Sequence, residues 1–352
     1  MRTGERRVMR RLRAAALVAT LLGLPLSVVS PPALAVPRPA PPRLAPNSVS
    51  PVPSYVRRVE PAVVGLRVKA RADAPSSQRL GARRAGSAVI FDARGYAVTV
   101  TYLVVDAESI EAQLRDGRLV RAEIAGVDLE SGLAVVRLAG NGPWPVASLG
   151  DSRDLLAGAR TGTVAVDEDD DLVHAASTIE GVRRFSASWE YMLERAFIVT
   201  PAISSWGGSA LVDEHGRLVG IVSLRLGDAP HVNLAIPLET FVPVKDELIA
   251  AGRVASRRPR PWLGLLTIGG ADGIVVDGFN EAGPARAAGF QRGDRIVGVD
   301  GVRVATQEEF YERLWRRRAG DTIDVAVRRG AAERVISVRS VDRYTLYRST
   351  SR

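Results

Sequence analysis

The sequence predicts an all-β barrel or sandwich domain followed by a small mixed α/β domain. Three observations carry this. Between residues 63 and 236, short apolar segments recur at close intervals, separated by Gly- and Asp-containing turns, with almost no long helical periodicity. A basic, proline-punctuated stretch, Arg253-Val254-Ala255-Ser256-Arg257-Arg258-Pro259-Arg260-Pro261, then interrupts the pattern as a linker does. Beyond it strands and short helical patterns mix. At 352 residues the chain has room for two such domains and a targeting segment, and an apolar fraction of 46% supports sizeable cores.

The N-terminus differs from the rest. Arg2, Arg6, Arg7, Arg10, Arg11 and Arg13 precede an uncharged apolar run from Ala14 to Val29, and Ala33-Leu34-Ala35 supplies a small-x-small cleavage pattern. Residues 1–35 therefore read as a signal peptide, which puts the mature chain in the periplasm or outside the cell. An uncleaved membrane anchor is the alternative, although 16 apolar residues broken by Pro25 are short for a span. Residues 36–54 hold seven prolines and read as an extended linker.

The first domain is expected over residues 55–252. Val56, Val59 and Val63 mark a short helical entry, and 63–68 reads as a strand, followed by a polar loop at 71–85. Strands at 87–91 and 96–100 flank Asp92-Ala93-Arg94-Gly95, with Gly where a turn wants positive φ. Strands at 109–114 and 119–124 flank Asp116-Gly117, and 133–138 completes a first group. A second group comprises 159–166, a turn region, then 196–199, 210–212, 218–224 and 231–236. The run Asp167-Glu168-Asp169-Asp170-Asp171 lacks the alternating ligands and turn glycine of a calcium loop, and reads as a solvated turn. Residues 239–251 read as a helix with Phe241, Val244, Leu248 and Ile249 on one face, Pro243 in its first turn and Gly252 at its C-terminal cap.

After the linker at 253–260 comes the second domain, 261–340. Trp262-Leu263-Gly264-Leu265-Leu266 opens it, 273–276 is a strand, and Gly283-Pro284-Ala285-Arg286-Ala287-Ala288-Gly289 reads as a short helix. Gly293 to Gly301 is a turn, strand and turn. Thr306 caps a helix running to about residue 317, with Glu309 completing a capping box, and strands at 321–328 and 333–339 close the unit. Residues 341–352 form a polar tail expected to fray.

Composition removes several function classes. Six arginines against Glu5 give residues 1–35 a charge of +5, so the total of +9 leaves +4 for the remainder. With no basic stripe interleaved with aromatics, nothing points to nucleic acid. No cysteine is present, which excludes disulfides, a thiol nucleophile and a lipoprotein anchor. No metal cluster or phosphate loop is visible, and no cofactor is expected.

Two segments carry resemblances to known families. Gly293-Asp294-Arg295-Ile296-Val297-Gly298-Val299-Asp300-Gly301, with the Gly-Pro-Ala-x-x-Ala-Gly turn before it, is similar to the PDZ family. The resemblance implies that a peptide adds as a strand and that its terminal carboxylate is received by backbone N–H groups. By match, the receiving loop is Trp262, Leu263, Gly264 and Leu265, and the pocket helix carries Phe310 and Leu314.

Thr200-Pro201-Ala202-Ile203-Ser204-Ser205-Trp206-Gly207-Gly208-Ser209 resembles the nucleophile loop of HtrA-type trypsin-like serine proteases, G-N-S-G-G-P, with Trp206 in the serine slot. Gly95 to Val104 is similar to the pattern G-Y-I-V-T-N-x-H-V-V, which sets Tyr102 against the catalytic histidine. Val127 to Val136 is similar to D-P-x-T-D-L-A-L-L, which sets Gly132 against the catalytic aspartate and Asp128 against a non-catalytic one. The approach to the nucleophile is three residues shorter than the family's, so the resemblance also implies an altered oxyanion loop.

Taken together, the resemblances imply a trypsin-like double β-barrel followed by a PDZ domain, with no group in any of the three triad roles. A phenol of ordinary pKa near ~10 is a poor general base, and an indole is no nucleophile. The expected role is binding peptides or unfolded exported proteins through C-terminal carboxylates, as chaperone, scaffold or regulator of an active HtrA-type protease, in a homo-oligomer that the resemblance makes a trimer. The rival is a working endopeptidase built on Ser205, which needs a base from among His174, His215 and His231.

Overall fold

The computed structural model describes residues 52–270 and 273–347; the expected signal peptide and all but the last three residues of the expected linker at 36–54 lie outside them. After helix α1 (Ser54–Arg57), strands β1 (Val63–Ala70), β2 (Arg83–Asp92), β3 (Tyr96–Val100), β4 (Ala107–Gln113), β5 (Leu119–Asp128) and β6 (Leu133–Leu138) close into a barrel in the order β1-β2-β3-β6-β5-β4. Helix α2 (Ser77–Leu80) lies between β1 and β2, and α3 (Thr101–Val104) follows β3. Strands β7 (Arg160–Val166), β8 (Leu172–Ala187), β9 (Tyr191–Thr200), β10 (Ser209–Asp213), β11 (Leu218–Leu226) and β12 (Val232–Pro237) close a second barrel in the order β10-β11-β12-β9-β8-β7. Closure leaves neither sheet an open edge. One apolar core runs through both barrels, including Val63, Val135, Val164 and Leu234.

The double barrel that the sequence implied is therefore present. Its unexpected part is the ribbon of β8 and β9, because β8 falls where only a turn region was expected and β9 starts at Tyr191. The pairs Phe185↔Leu193, Ser186↔Met192 and Ala187↔Tyr191 continue the ladder to the very end of the hairpin. Along β8 most side chains are only partly covered, so no apolar alternation marks the strand in the sequence.

Helix α4 (Lys245–Ala251) begins later than expected, because residues 238–240 form a 3₁₀ turn and Pro243 disfavours helical backbone at Val242. Phe241 is buried all the same, edge-on to Phe91 with ring centroids 5.1 Å apart.

In the second domain β13 (Pro261–Trp262), β14 (Leu265–Gly270), β15 (Gly273–Phe279), β16 (Arg295–Val299), β17 (Val302–Arg303), β18 (Thr322–Arg329) and β19 (Ala332–Arg339) surround helix α5 (Gln307–Leu314). Thr306 Oγ1 accepts from Glu309 N at 3.2 Å, as the capping box requires, while Glu309 Oε2 accepts from Ala305 N at 2.7 Å. The helix expected at 283–289 is a turn instead. Gly283 sits against Gly264, where an added Cβ would lie 2.5 Å from the Gly264 Cα.

The tail does not fray where it is described. Strand β20 (Val341–Asp342) pairs with β13, and Leu129 N of the first barrel donates to Tyr344 Oη at 3.1 Å. Among the described residues no helix is long and apolar enough to cross a membrane.

Candidate functional site

Tyr102, Gly132 and Trp206, far apart in sequence, line a single cleft of about 440 Å³. Helix α3 carries Tyr102 into it from the end of β3. Thr101 fixes that turn by donating N–H to Gly132 O at 2.7 Å and Oγ1–H to Leu133 O at 3.0 Å. The phenol donates to Ser223 O at 2.7 Å. Burial of this hydroxyl pushes its pKa far above the ordinary tyrosine value, and the neighbouring Trp206 indole offsets this only in part. The group is thus a fixed donor and is not poised to take a proton.

Gly132 closes the β5–β6 turn with φ +81°, and its N–H donates to Asp128 O at 2.9 Å. A Cβ here would come within 3.0 Å of the Tyr191 hydroxyl, which donates to Ser131 O at 2.6 Å. The place from which a carboxylate would reach toward residue 102 is taken by the phenol of Tyr191. Asp128 is buried and paired with Arg257 at 2.8 Å, a contact that anchors the linker and leaves the cleft alone.

Trp206 sits on the loop before β10. Gly208 (φ +81°) turns this loop so close to the first barrel that a Cβ would lie 1.9 Å from Ser87 O. Asn233 holds the shortened approach by accepting Ile203 N at 2.8 Å, and Ser209 Oγ donates to Ser205 O at 2.6 Å. The indole remains partly exposed, with the Arg225 guanidinium 5.9 Å from its ring centroid.

No histidine is among the residues that line the cleft. His174 faces Glu60 at 3.2 Å, His215 is exposed in the Asp213–Arg217 turn, and His231 Nδ1 lies 2.7 Å from Gly227 O. Ser205 does not line the cleft either. What sequence reasoning missed are Trp189 and Tyr191, whose rings stack at 5.9 Å and face the same space. The signal was two aromatics within three residues of a segment otherwise read as a turn.

In the second domain Leu263, Leu265, Phe310 and Leu314 share one buried core, Trp262 is buried on β13, and Gly264 has φ +79°. The backbone N–H groups of Leu263 and Leu265 converge on the Glu190 carboxylate, at 3.0 Å and 2.8 Å to its nearest oxygens. Glu190 belongs to the β8–β9 hairpin of the first domain, with φ 55°. Burial pushes its pKa up to about 7, against the pull of those N–H donors. No sequence pattern marked it.

Comparison with known proteins agrees with this architecture. A family model described as a trypsin-like peptidase domain matches residues 86–221, and one described as a PDZ domain matches residues 254–339. The serine endoprotease DegS of Escherichia coli K12 is 30% identical over 307 residues, covering 80% of this chain and 83% of that protein. A probable periplasmic serine endoprotease, DegP-like, of Halomonas elongata is 27% identical over 273 residues, covering 73% of this chain and 56% of that protein. Among solved structures, an HtrA-type protease AlgW with a decapeptide superposes with a TM-score of 0.52 at 25% identity, covering 82% of this chain and 98% of that one. The chain belongs to the HtrA/DegS family of trypsin-like serine proteases that carry a C-terminal PDZ domain.

Proposed function

We propose that this chain is a catalytically silent member of its family, exported to the cell envelope, that binds peptides or unfolded proteins by their C-termini as chaperone, scaffold or regulator of an active relative. One observation carries the reading: the cleft is built from Tyr102, Gly132 and Trp206, with no imidazole among its lining residues. Acyl transfer needs a nucleophile, a base within hydrogen-bond reach of it and a group that orients the base. Here the nucleophile's slot holds an indole, the base's slot a phenol that already donates to Ser223 O, and the orienter's slot a glycine.

The PDZ match supports the binding half of the reading, with Trp262, Leu263, Gly264 and Leu265 as the carboxylate loop and Phe310 and Leu314 as the pocket. The name of the Halomonas relative and the arginine-led apolar N-terminus support export, and the family resemblance supports a homo-oligomer, a trimer.

The test is incubation of the purified chain with unfolded casein and with a fluorophosphonate probe. Neither cleavage nor labelling is expected. Cleavage that Ser205→Ala abolishes would establish the rival, an endopeptidase with a rebuilt site.

A further inference from the structure

A peptide that joins a PDZ domain lies between a sheet edge and a helix, here β14 and α5, with its carboxylate at the loop that precedes the strand. That space is occupied by the chain itself. Glu190 takes the N–H groups of Leu263 and Leu265. Ser188 O accepts from Thr267 N of β14 at 2.9 Å, a main-chain bond of the kind an added strand makes. From the helix side the Tyr311 hydroxyl donates to Ala187 O at 2.7 Å and accepts from Glu190 N at 3.2 Å. Met192 joins the second domain's apolar core beside Leu263, Leu265 and Phe310.

We propose that residues 187–190 are the resident ligand of this groove, with Glu190 in the place of a peptide's terminal carboxylate, so that an outside chain end is received only when the hairpin leaves. This rests on the reading that the second domain binds C-termini.

Three physical points favour a ligand over an ordinary packing contact. The other ties between the domains are side-chain ion pairs and a phenol, whereas here a buried carboxylate is received by two backbone N–H groups of the loop, as a peptide's terminus would be. The hairpin reproduces all three features of strand addition at once: a carboxylate in the loop, a main-chain bond to the strand and an apolar side chain in the core. The contacts that flank it, Arg184 to Glu312 and Ser186 to Glu308, lie at the surface or are only partly covered and add little to what the tip itself holds. A tethered ligand acts at high effective concentration, and a free peptide must compete with it.

The test titrates the full chain and its Glu190→Ala variant with a fluorescent peptide ending in an apolar residue, as free acid and as amide. The free acid is expected to bind the variant at least tenfold more tightly than the wild type, and the amide to bind neither well. Equal affinity of the free acid for both proteins would overturn the resident ligand while leaving the groove a peptide site. Failure of the free acid to bind either folded protein would sink the peptide-binding reading itself, and this one with it. Should the variant not fold, hydrogen exchange on the wild type decides: bound peptide must deprotect the backbone of residues 187–191, and retained protection refutes displacement.

Discussion

At Gly132 a hydrogen atom stands where the family's pattern sets an aspartate side chain. Its φ of +81° belongs to the left-handed region, and an added Cβ would press on the Tyr191 hydroxyl at 3.0 Å. Gly132→Asp is therefore expected to lower unfolding stability by roughly 1–2 kcal/mol from backbone strain, before any steric displacement of Tyr191. Urea denaturation of the variant measures this. The triple change Tyr102→His, Gly132→Asp, Trp206→Ser is expected to restore no casein cleavage, because Tyr191 stands where the new carboxylate must go. Residues 102, 132 and 206 could be located in the sequence because each lies beside a strongly patterned strand, after β3, before β6 and before β10, in the family's order. Glu190 was not legible. Its partners are N–H groups more than seventy residues away, and backbone donors leave no mark on side-chain patterning.

The hairpin of β8 and β9 carries a buried carboxyl, Glu190, whose pKa burial raises. Around Glu190 stand Arg260, Arg343, Glu130 and Asp342, which share a small cavity with it, and Tyr311 from α5. Burial raises its pKa from 4.5 to about 7, so between those pH values the folded chain holds a proton here that the unfolded chain has released. The stability associated with the protonated group is complete below about pH 4.5 and is lost as pH rises through about 7. The unfolding free energy of the wild type relative to Glu190→Gln is thus expected to fall between pH 5 and pH 8, by on the order of 2 kcal/mol. A difference that stays flat across that range would contradict it. Burial also raises Glu130, opposed by Arg260, but this contribution is common to both proteins and cancels in the comparison. The ribbon escaped sequence reading because its outer pairs lie beyond the barrel and its partly covered faces show no two-residue alternation.

At the scale of the whole molecule, the described residues tie the two domains at the hairpin, the linker and the tail. At the linker Arg257 meets Asp128 at 2.8 Å, and Arg260 meets Glu130 at 3.0 Å while lying 4.1 Å over the Trp315 ring. At the tail Tyr344 accepts the Leu129 N–H. Polar composition hid the tail's role, since its anchoring groups are phenols rather than aliphatic side chains. Deleting residues 343–352 leaves that amide without its acceptor and is expected to cost about 1–3 kcal/mol of stability in denaturant titration. No change would mean that the tail carries no load.

The hairpin tip answers to two neighbours: the side chains of Trp189 and Tyr191 look into the cleft, while the Ser188 carbonyl, the Glu190 carboxylate and the Met192 side chain are engaged by the second domain. Residues 188–190 form the turn between β8 and β9, with Glu190 at φ 55°, so one inserted residue would rebuild that turn and change the aim of the indole and of the carboxylate together. Neither the cleft nor the groove can lose or gain a residue here without the other being recut, and in that sense two surfaces are hung from one turn.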